Sequence, residues 1–108
     1  MEQNQAFENI TLELRRGVLV LAVMTRLETE QYGYSLIKSL GDHGLEIDQG
    51  TLYPLLRRLE SQGLLESTWR IDEPRPRRYY VLSPAGRRSL PELKGEWRKL
   101  VELMDGLL

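Results

Sequence analysis

The chain has 108 residues, enough for one domain with a hydrophobic core of its own. Its net charge of -1 gives no sign of an anionic partner, and the absence of cysteine excludes disulfides, thiolate nucleophiles and cysteine-bound metals. The single histidine, His43, lies between two glycines in a predicted turn and has no second histidine to join it in a triad or metal site. We therefore expect a protein that is not an enzyme and holds no cofactor and no metal.

The apolar run 18–24 is seven residues long, too short to span a bilayer. The chain does not open with a cationic, then apolar, then small-residue signal. These two features predict a cytoplasmic protein without a membrane partner.

The charge is unevenly distributed along the chain. Residues 49–90 carry eight basic and four acidic side chains, whereas residues 1–48 carry four basic and eight acidic ones. All eight cations of the middle segment are arginine, which binds phosphates and base edges through paired N–H groups. The middle segment is the candidate for contact with nucleic acid, although an ordinary solvated surface explains the same charges equally well.

The first half of the chain predicts two helices. Apolar residues at helical spacing predict a helix over 8–27 and a second over 32–40. Gly41 stands where a left-handed C-terminal cap is expected. Residues 45–47 predict a short extended piece.

A third helix is predicted from Asp48, which can cap it, to Gly63, which ends it. Pro54 lies beyond the first turn, where its missing N–H matters, so either the helix body starts nearer Thr51 or its first turn is irregular. The apolar positions form one core stripe: Leu52, Leu55, Leu56 and Leu59.

Residues 64–71 and 77–82 alternate as the two strands of a hairpin. Its tip, 72–76, carries prolines on both sides of Arg75, so this arginine should project from a stiff loop. The predicted order of elements is that of a winged helix-turn-helix: helix, helix, short strand, helix and hairpin. The predicted fold is α+β and mostly helical, with residues 1–83 as the DNA-binding domain.

Residues 84–108 predict a last helix, capped by Ser83, with Pro84 at its first position. Pro91 should kink this helix or split it in two. Its apolar residues are spaced as a heptad seam, which could pack on its own chain; we favour a dimerisation helix that also packs on the same domain, because four earlier elements already supply the core. The seam comprises Leu90, Leu93, Trp97, Leu100, Met104 and Leu107.

Three segments resemble the PadR family of bacterial transcription regulators, which are dimeric winged-helix DNA-binding proteins. They are Tyr-Gly-Tyr-x-Leu-Ile at 32–37, Gly-Thr-Leu-Tyr-Pro-Leu-Leu-x-Arg-Leu-Glu with Gly-Leu at 50–64, and Arg-Arg-Tyr-Tyr-x-Leu-Ser-x-x-Gly at 77–86. The short chain with one C-terminal helix region is similar to the compact branch of the family. This resemblance implies that the last helix reaches across to the first helix of a partner subunit.

The predicted function is that of a homodimeric regulator, a repressor, on a palindromic operator in double-stranded DNA. Tyr53 could instead be partly buried beside the second helix, and Arg78 is as well explained by a salt bridge with Glu60 or Glu66 as by DNA. The alternative function is a winged-helix protein-interaction module without sequence-specific DNA binding. The DNA-binding candidates are Gln49, Gly50, Thr51, Tyr53 and Arg57 on the helix, with Arg75 and Arg77 on the wing.

The resemblance also implies a small-molecule effector. In some compact relatives a tryptophan of the last helix stacks on flat aromatic compounds at the dimer centre, and Trp97 stands at the matching position. The competing interpretation is an interface tryptophan without a ligand. The expected effector pocket comprises Trp97, Phe7, Ile10 and Leu93, and the expected dimer interface comprises Leu93, Trp97, Leu100, Met104 and Leu107.

Overall fold

The structure is a computed structural model that describes residues 2–71 and 73–108; Asp72, in the predicted hairpin tip, lies outside the described residues. It confirms the mostly helical α+β winged-helix fold. The elements, in chain order, are α1 (Glu2–Arg26), β1 (Gln31–Tyr32), α2 (Gly33–Asp42), α3 (Gln49–Ser61), β2 (Leu65–Arg70), β3 (Arg77–Leu82) and α4 (Pro84–Leu107). None of the described helices is long and apolar enough to cross a membrane.

The sheet has three antiparallel strands in the order β1-β3-β2. Its short third strand is Gln31–Tyr32, so the prediction of an extended strand at 45–47 was wrong. Residues 45–47 instead form the loop between α2 and α3, with Leu45 and Ile47 packed against the core. The free edge of β3 is taken by Gln31 and Tyr32, which pair with Tyr80 and Tyr79.

The cap of α2 is also placed differently from the prediction. Gly41 lies inside the helix, and the residue with positive φ is Gly44, at 88°. The amide of Leu45 donates to the carbonyl of Leu40 and that of Gly44 to the carbonyl of Gly41, both at 2.9 Å, which is a Schellman motif. Leu40 and Leu45 both pack in the core, and the left-handed residue lies at Gly44, three positions beyond the predicted Gly41.

Helix α3 begins at Gln49, where the carboxylate of Asp48 accepts from the amide of Thr51 at 2.8 Å. The predicted cap is therefore confirmed. Pro54 lies inside the helix, on its exposed side. The helix already begins at Gln49, so the alternative start nearer Thr51 was wrong. Gly63, with φ of 81°, ends α3 as predicted.

Helix α4 is continuous from Pro84 to Leu107 with Pro91 inside it, so the alternative of two separate pieces was wrong. A proline removes one backbone hydrogen bond, and here it does so on an exposed face of the helix. The side chains of Leu90 and Leu93, on either side of it, pack on the core and keep the helix on the domain. The predicted cap is confirmed, because Ser83 Oγ accepts from the amide of Gly86 at 3.0 Å.

The core lies where the second half of α1 meets α2, α3 and the sheet. Its fully buried side chains include Val23 and Leu27 from α1, Leu36 from α2, and Leu52 and Leu56 from α3. The first half of α1 and the second half of α4 extend beyond this core, and both carry exposed apolar side chains. The fold thus presents two distinct surfaces, a groove beside α3 and a pair of projecting apolar helices.

Candidate nucleic-acid interface

A groove with a volume of about 680 Å³ separates α3 from the wing, which is the hairpin formed by β2, β3 and their connection. Four arginines line it: Arg57 from α3, and Arg75, Arg77 and Arg78 from the wing. Five aromatic side chains complete most of the wall, namely Tyr32, Tyr34, Tyr53, Trp69 and Tyr80. A cationic groove beside a helix suits a strand of the DNA backbone.

Helix α3 presents its polar side to this groove because its leucine stripe is buried. Gln49 and Arg57 are exposed and line the groove, and Gly50 and Thr51 are exposed at the start of the helix. The amide of Thr51 is occupied by the cap on Asp48, so the hydroxyl is the group that Thr51 offers to a ligand. The exposed polar face at the start of α3 has the side chains with which a helix contacts a major groove.

Tyr53 is half-buried, and its ring lies against Gly33 at the start of α2. A β-carbon on Gly33 would come within 2.7 Å of two ring carbons of Tyr53, so a larger residue at position 33 would displace this ring. The partial burial considered for Tyr53 is what the structure shows. The same side chain still lines the groove, so it both joins α2 to α3 and faces the candidate ligand.

Arg78 ties the wing to α3 on the inner face of the sheet. Its guanidinium donates to the carboxylate of Glu60 at 3.0 Å and to the hydroxyl of Ser67 at 2.9 Å. Ser67 in turn donates to Glu60 at 2.6 Å. Of the two roles considered for Arg78, the structure shows the salt bridge with Glu60, and this network connects α3 to β2 and β3.

The outer face of the sheet carries a second set of arginine contacts. The Arg77 guanidinium lies 4.3 Å from the centre of the Tyr32 ring and 3.7 Å from the carboxylate of Glu73. Tyr32 meets Tyr79 edge to face, with ring centres 5.4 Å apart. Arg70 lies 4.2 Å from the centre of the Tyr79 ring and pairs with Glu30. These contacts anchor the wing to β1.

The wing arginines consequently differ in how much charge they offer to a ligand. Arg70, Arg77 and Arg78 each form an ion pair with a described glutamate. Arg75 is exposed near the hairpin tip, between the two prolines. We conclude that the predicted wing residues Arg75 and Arg77 both line the groove, with Arg77 partly compensated by Glu73.

The titratable groups with shifted pKa values keep their usual charges near neutral pH. Burial raises the pKa of Tyr80, and the nearby Arg78 opposes this shift. A hydrogen bond with Tyr79 is the largest cause of the raised pKa of Arg77. The cationic character of the groove comes from the four guanidinium groups that line it.

Four of the five aromatic residues that line the groove, all except Tyr53, were not predicted as site residues from the sequence, and two of the four are largely exposed. Trp69 on β2 is 58% exposed and Tyr34 on α2 is 62% exposed, and both line the groove. The alternation of β2 placed Trp69 on the same face as Leu65, which is buried. The strand extends past the core, so the same face is covered at Leu65 and open at Trp69.

The four residues of the expected effector pocket do not share a hollow within one described chain. Trp97 lines a hollow of about 290 Å³ against α1, with Val18 and Leu21 opposite. Leu93 lines a different hollow of about 540 Å³. Phe7 and Ile10 are exposed nearer the start of α1.

A family model for the PadR-like transcriptional regulators matches residues 20–92, which include α3 and the wing. The chain belongs to the PadR-like family of transcriptional regulators. Among curated proteins it is similar to the transcriptional regulator Rv3488 of Mycobacterium tuberculosis, with 41% identity over 97 residues, 89% of this chain and 88% of that protein.

Solved structures of PadR proteins agree with this assignment. A PadR family transcriptional regulator from Eggerthella lenta is 46% identical, with a TM-score of 0.88 over 99% of this chain and 96% of the other. A PadR-like transcription factor from Bacteroides fragilis is 34% identical, with a TM-score of 0.74 over 93% of this chain and 99% of the other. The PadR-like chain is thus a regulator of transcription with a DNA-binding winged helix, and its relatives are not enzymes.

Proposed function

We propose that this PadR-like protein is a homodimeric repressor that binds a palindromic operator. The observation that carries the proposal is the pairing of an exposed polar face on α3 with an arginine-lined groove on its wing side. Gln49, Gly50, Thr51 and Arg57 read or contact the major groove, while Arg75 at the wing tip reaches the backbone beside it. Tyr53 and Arg77 support this surface from within the groove.

The proposed dimer rests on two apolar stripes that the described chain leaves uncovered. On α1 the exposed stripe is Phe7, Ile10 and Leu14, and on α4 it is Trp97, Leu100, Met104 and Leu107. Both stripes repeat with a spacing of three and four residues, the pattern of helices that pack side by side. Exposed apolar surface of this extent marks an interaction site.

A second copy of the chain is the occupant that fits both stripes at once. In a two-fold dimer the α4 stripe of one protomer covers the α1 stripe of its partner, and the reverse contact forms by symmetry. Leu93, at the inner end of the α4 stripe, is half-buried and joins this interface to the core. The two α3 helices of such a dimer enter successive major grooves about 34 Å apart, so the operator is palindromic.

An effector site belongs to the same proposal. Trp97 is 42% exposed and faces a hollow against α1, and a partner's α1 stripe would close this hollow into a pocket with Phe7, Ile10 and Leu93. A planar aromatic compound that stacks on Trp97 would alter the separation of the two α3 helices and so the affinity for the operator. Quenching of Trp97 emission by planar cationic dyes, and its loss in Trp97→Ala, tests the pocket.

The direct test of DNA binding is selection of duplexes from a random library by the native protein, followed by affinity measurements over a range of salt concentrations. The proposal expects an enriched inverted repeat and affinity that falls steeply with salt. The alternative, a winged-helix protein-interaction module, expects no enrichment and no competition by DNA of any sequence at moderate salt. Recovery of an asymmetric site would retain DNA binding but contradict the two-fold dimer.

A further inference from the structure

Trp69 is a large apolar side chain that the fold leaves 58% exposed at a functional surface. It lies on β2 directly opposite Arg78 of β3, on the inner face of the sheet, and lines the groove with Arg57 and Arg75. The neighbouring Thr68 has its side chain on the outer face, opposite Tyr79. The register therefore directs the indole toward the space between the wing and α3.

The surroundings of Trp69 suit a ligand with an apolar face and negative charge. The groove contributes guanidinium groups from Arg57 and Arg75, and a second exposed ring from Tyr34. The indole contributes an apolar face and one N–H donor. The deoxyribose–phosphate backbone of DNA has the complementary chemistry, because each sugar offers an apolar face next to an anionic phosphate.

We propose that Trp69 is a DNA-contacting residue that packs its ring on a deoxyribose of the strand held between α3 and the wing. Its Nε1–H donates a hydrogen bond to an adjacent phosphate oxygen. This inference rests on the DNA binding of the proposed function and adds a contact that is not an ion pair. The contact is independent of base sequence and positions the wing on the backbone.

The first test observes Trp69 in the native protein. The chain has two tryptophans, so labelling with 5-fluorotryptophan gives two ¹⁹F resonances, which Trp69→Phe and Trp97→Phe assign. The probe is a duplex enriched from a random library by the native protein. We expect the Trp69 resonance to shift on addition of this duplex and to lose its sensitivity to the D₂O content of the solvent.

The second test measures affinity. Trp69→Ala should weaken binding about tenfold, in the range of a well-packed aromatic contact, and should leave the salt dependence of binding unchanged because it removes no charge. Trp69→Phe keeps the ring and loses the donor, so its affinity should lie between those of the native protein and Trp69→Ala. Thr68→Ala, an exposed position on the same strand but the opposite face, is the matched control and should bind like the native protein.

The outcomes separate this inference from the proposed function. DNA binding by the native protein with an unmoved, solvent-exposed Trp69 resonance would overturn the contact and leave the regulator intact. An equal loss of affinity in Thr68→Ala would also overturn it, since the loss would then reflect the strand and not the indole. Absence of binding to any duplex would overturn both proposals. Thermal unfolding of each variant shows that the exposed substitutions leave the fold intact.

Discussion

The guanidinium of Arg78 donates to the carboxylate of Glu60 at 3.0 Å, and this ion pair joins the wing to the helix whose exposed face lies across the groove. Both side chains are partly shielded, at 38% and 28% exposure, and Ser67 bonds to each of them. The pair therefore links the two elements that, in the proposed complex, contact one DNA surface together.

Replacing Arg78 with alanine should lower the free energy of unfolding by about 1 kcal/mol, since a charged hydrogen-bond network is lost from a partly exposed site. It should also weaken DNA binding, because the wing loses its fixed position. Urea unfolding and operator titration measure the two effects. The matched control is Lys38→Ala, which breaks the more exposed pair with Asp42 and should cost less than about 0.5 kcal/mol. Equal costs would contradict a structural role for the Arg78 pair.

Gly86 allows α4 to leave β3 in close contact with the chain after α3. A β-carbon at this position would collide with the carbonyl oxygen of Leu64. Gly86→Ala should therefore destabilise the fold by about 1–3 kcal/mol, the usual cost of overpacking. Gly95→Ala, in the same helix with open space around it, should instead stabilise by up to about 1 kcal/mol through helix propensity. Thermal unfolding of the two variants compares them, and shifts of the same sign would contradict this explanation.

Arg75 should make a phosphate contact that Arg77 makes less strongly. Arg75→Ala should reduce the slope of log affinity against log salt by about one, the effect of losing one neutralised phosphate. Arg77→Ala should reduce it less, because Glu73 already compensates that charge. Lys99→Ala, on the exposed surface of α4, is the control and should leave the slope unchanged. If both wing variants showed the salt dependence of the native protein, Arg75 and Arg77 would not contact DNA phosphates.

Met104 lies on the exposed stripe of α4 that the proposed dimer covers. Met104→Glu should convert the dimer to monomer, since it places a charge in an apolar seam. Sedimentation equilibrium measures the change, and circular dichroism should show that the winged-helix core remains folded. Glu102→Gln, on the same turn but off the stripe, should remain dimeric. A dimeric Met104→Glu protein would place the subunit contact elsewhere.

Tyr80 should make stability decline at alkaline pH. Burial raises the pKa of its phenol above the ordinary value near 10, so the folded state holds the proton more tightly than the unfolded state. The protonated phenol of Tyr80 therefore adds to the free energy of unfolding. This stabilisation is fully present below the pKa of the unfolded state and is lost as the pH rises through the pKa of the folded state. Urea unfolding at increasing pH should show a shallower decline in Tyr80→Phe than in the native protein, with Tyr34→Phe as the exposed control.

The sequence by itself determined the helix α3 with both of its ends and the start of α4. The leucine stripe of α3, Asp48 and Gly63 at its ends, and Ser83 before α4 each act through neighbours within a few residues, so their roles can be predicted from local spacing. The uneven distribution of arginine likewise marked the middle of the chain as the candidate DNA-binding part.

Only the tertiary structure decided the features that depend on contacts distant in sequence. The third strand formed at Gln31–Tyr32 and not at 45–47, because the free edge of β3 is available there. Arg78 became a link to Glu60, and Trp69 became an exposed wall of the groove, because β2 and β3 run past the end of the core. Strand pairing depends on which segments lie next to each other in the folded chain. Local periodicity does not tell which distant segments become neighbours.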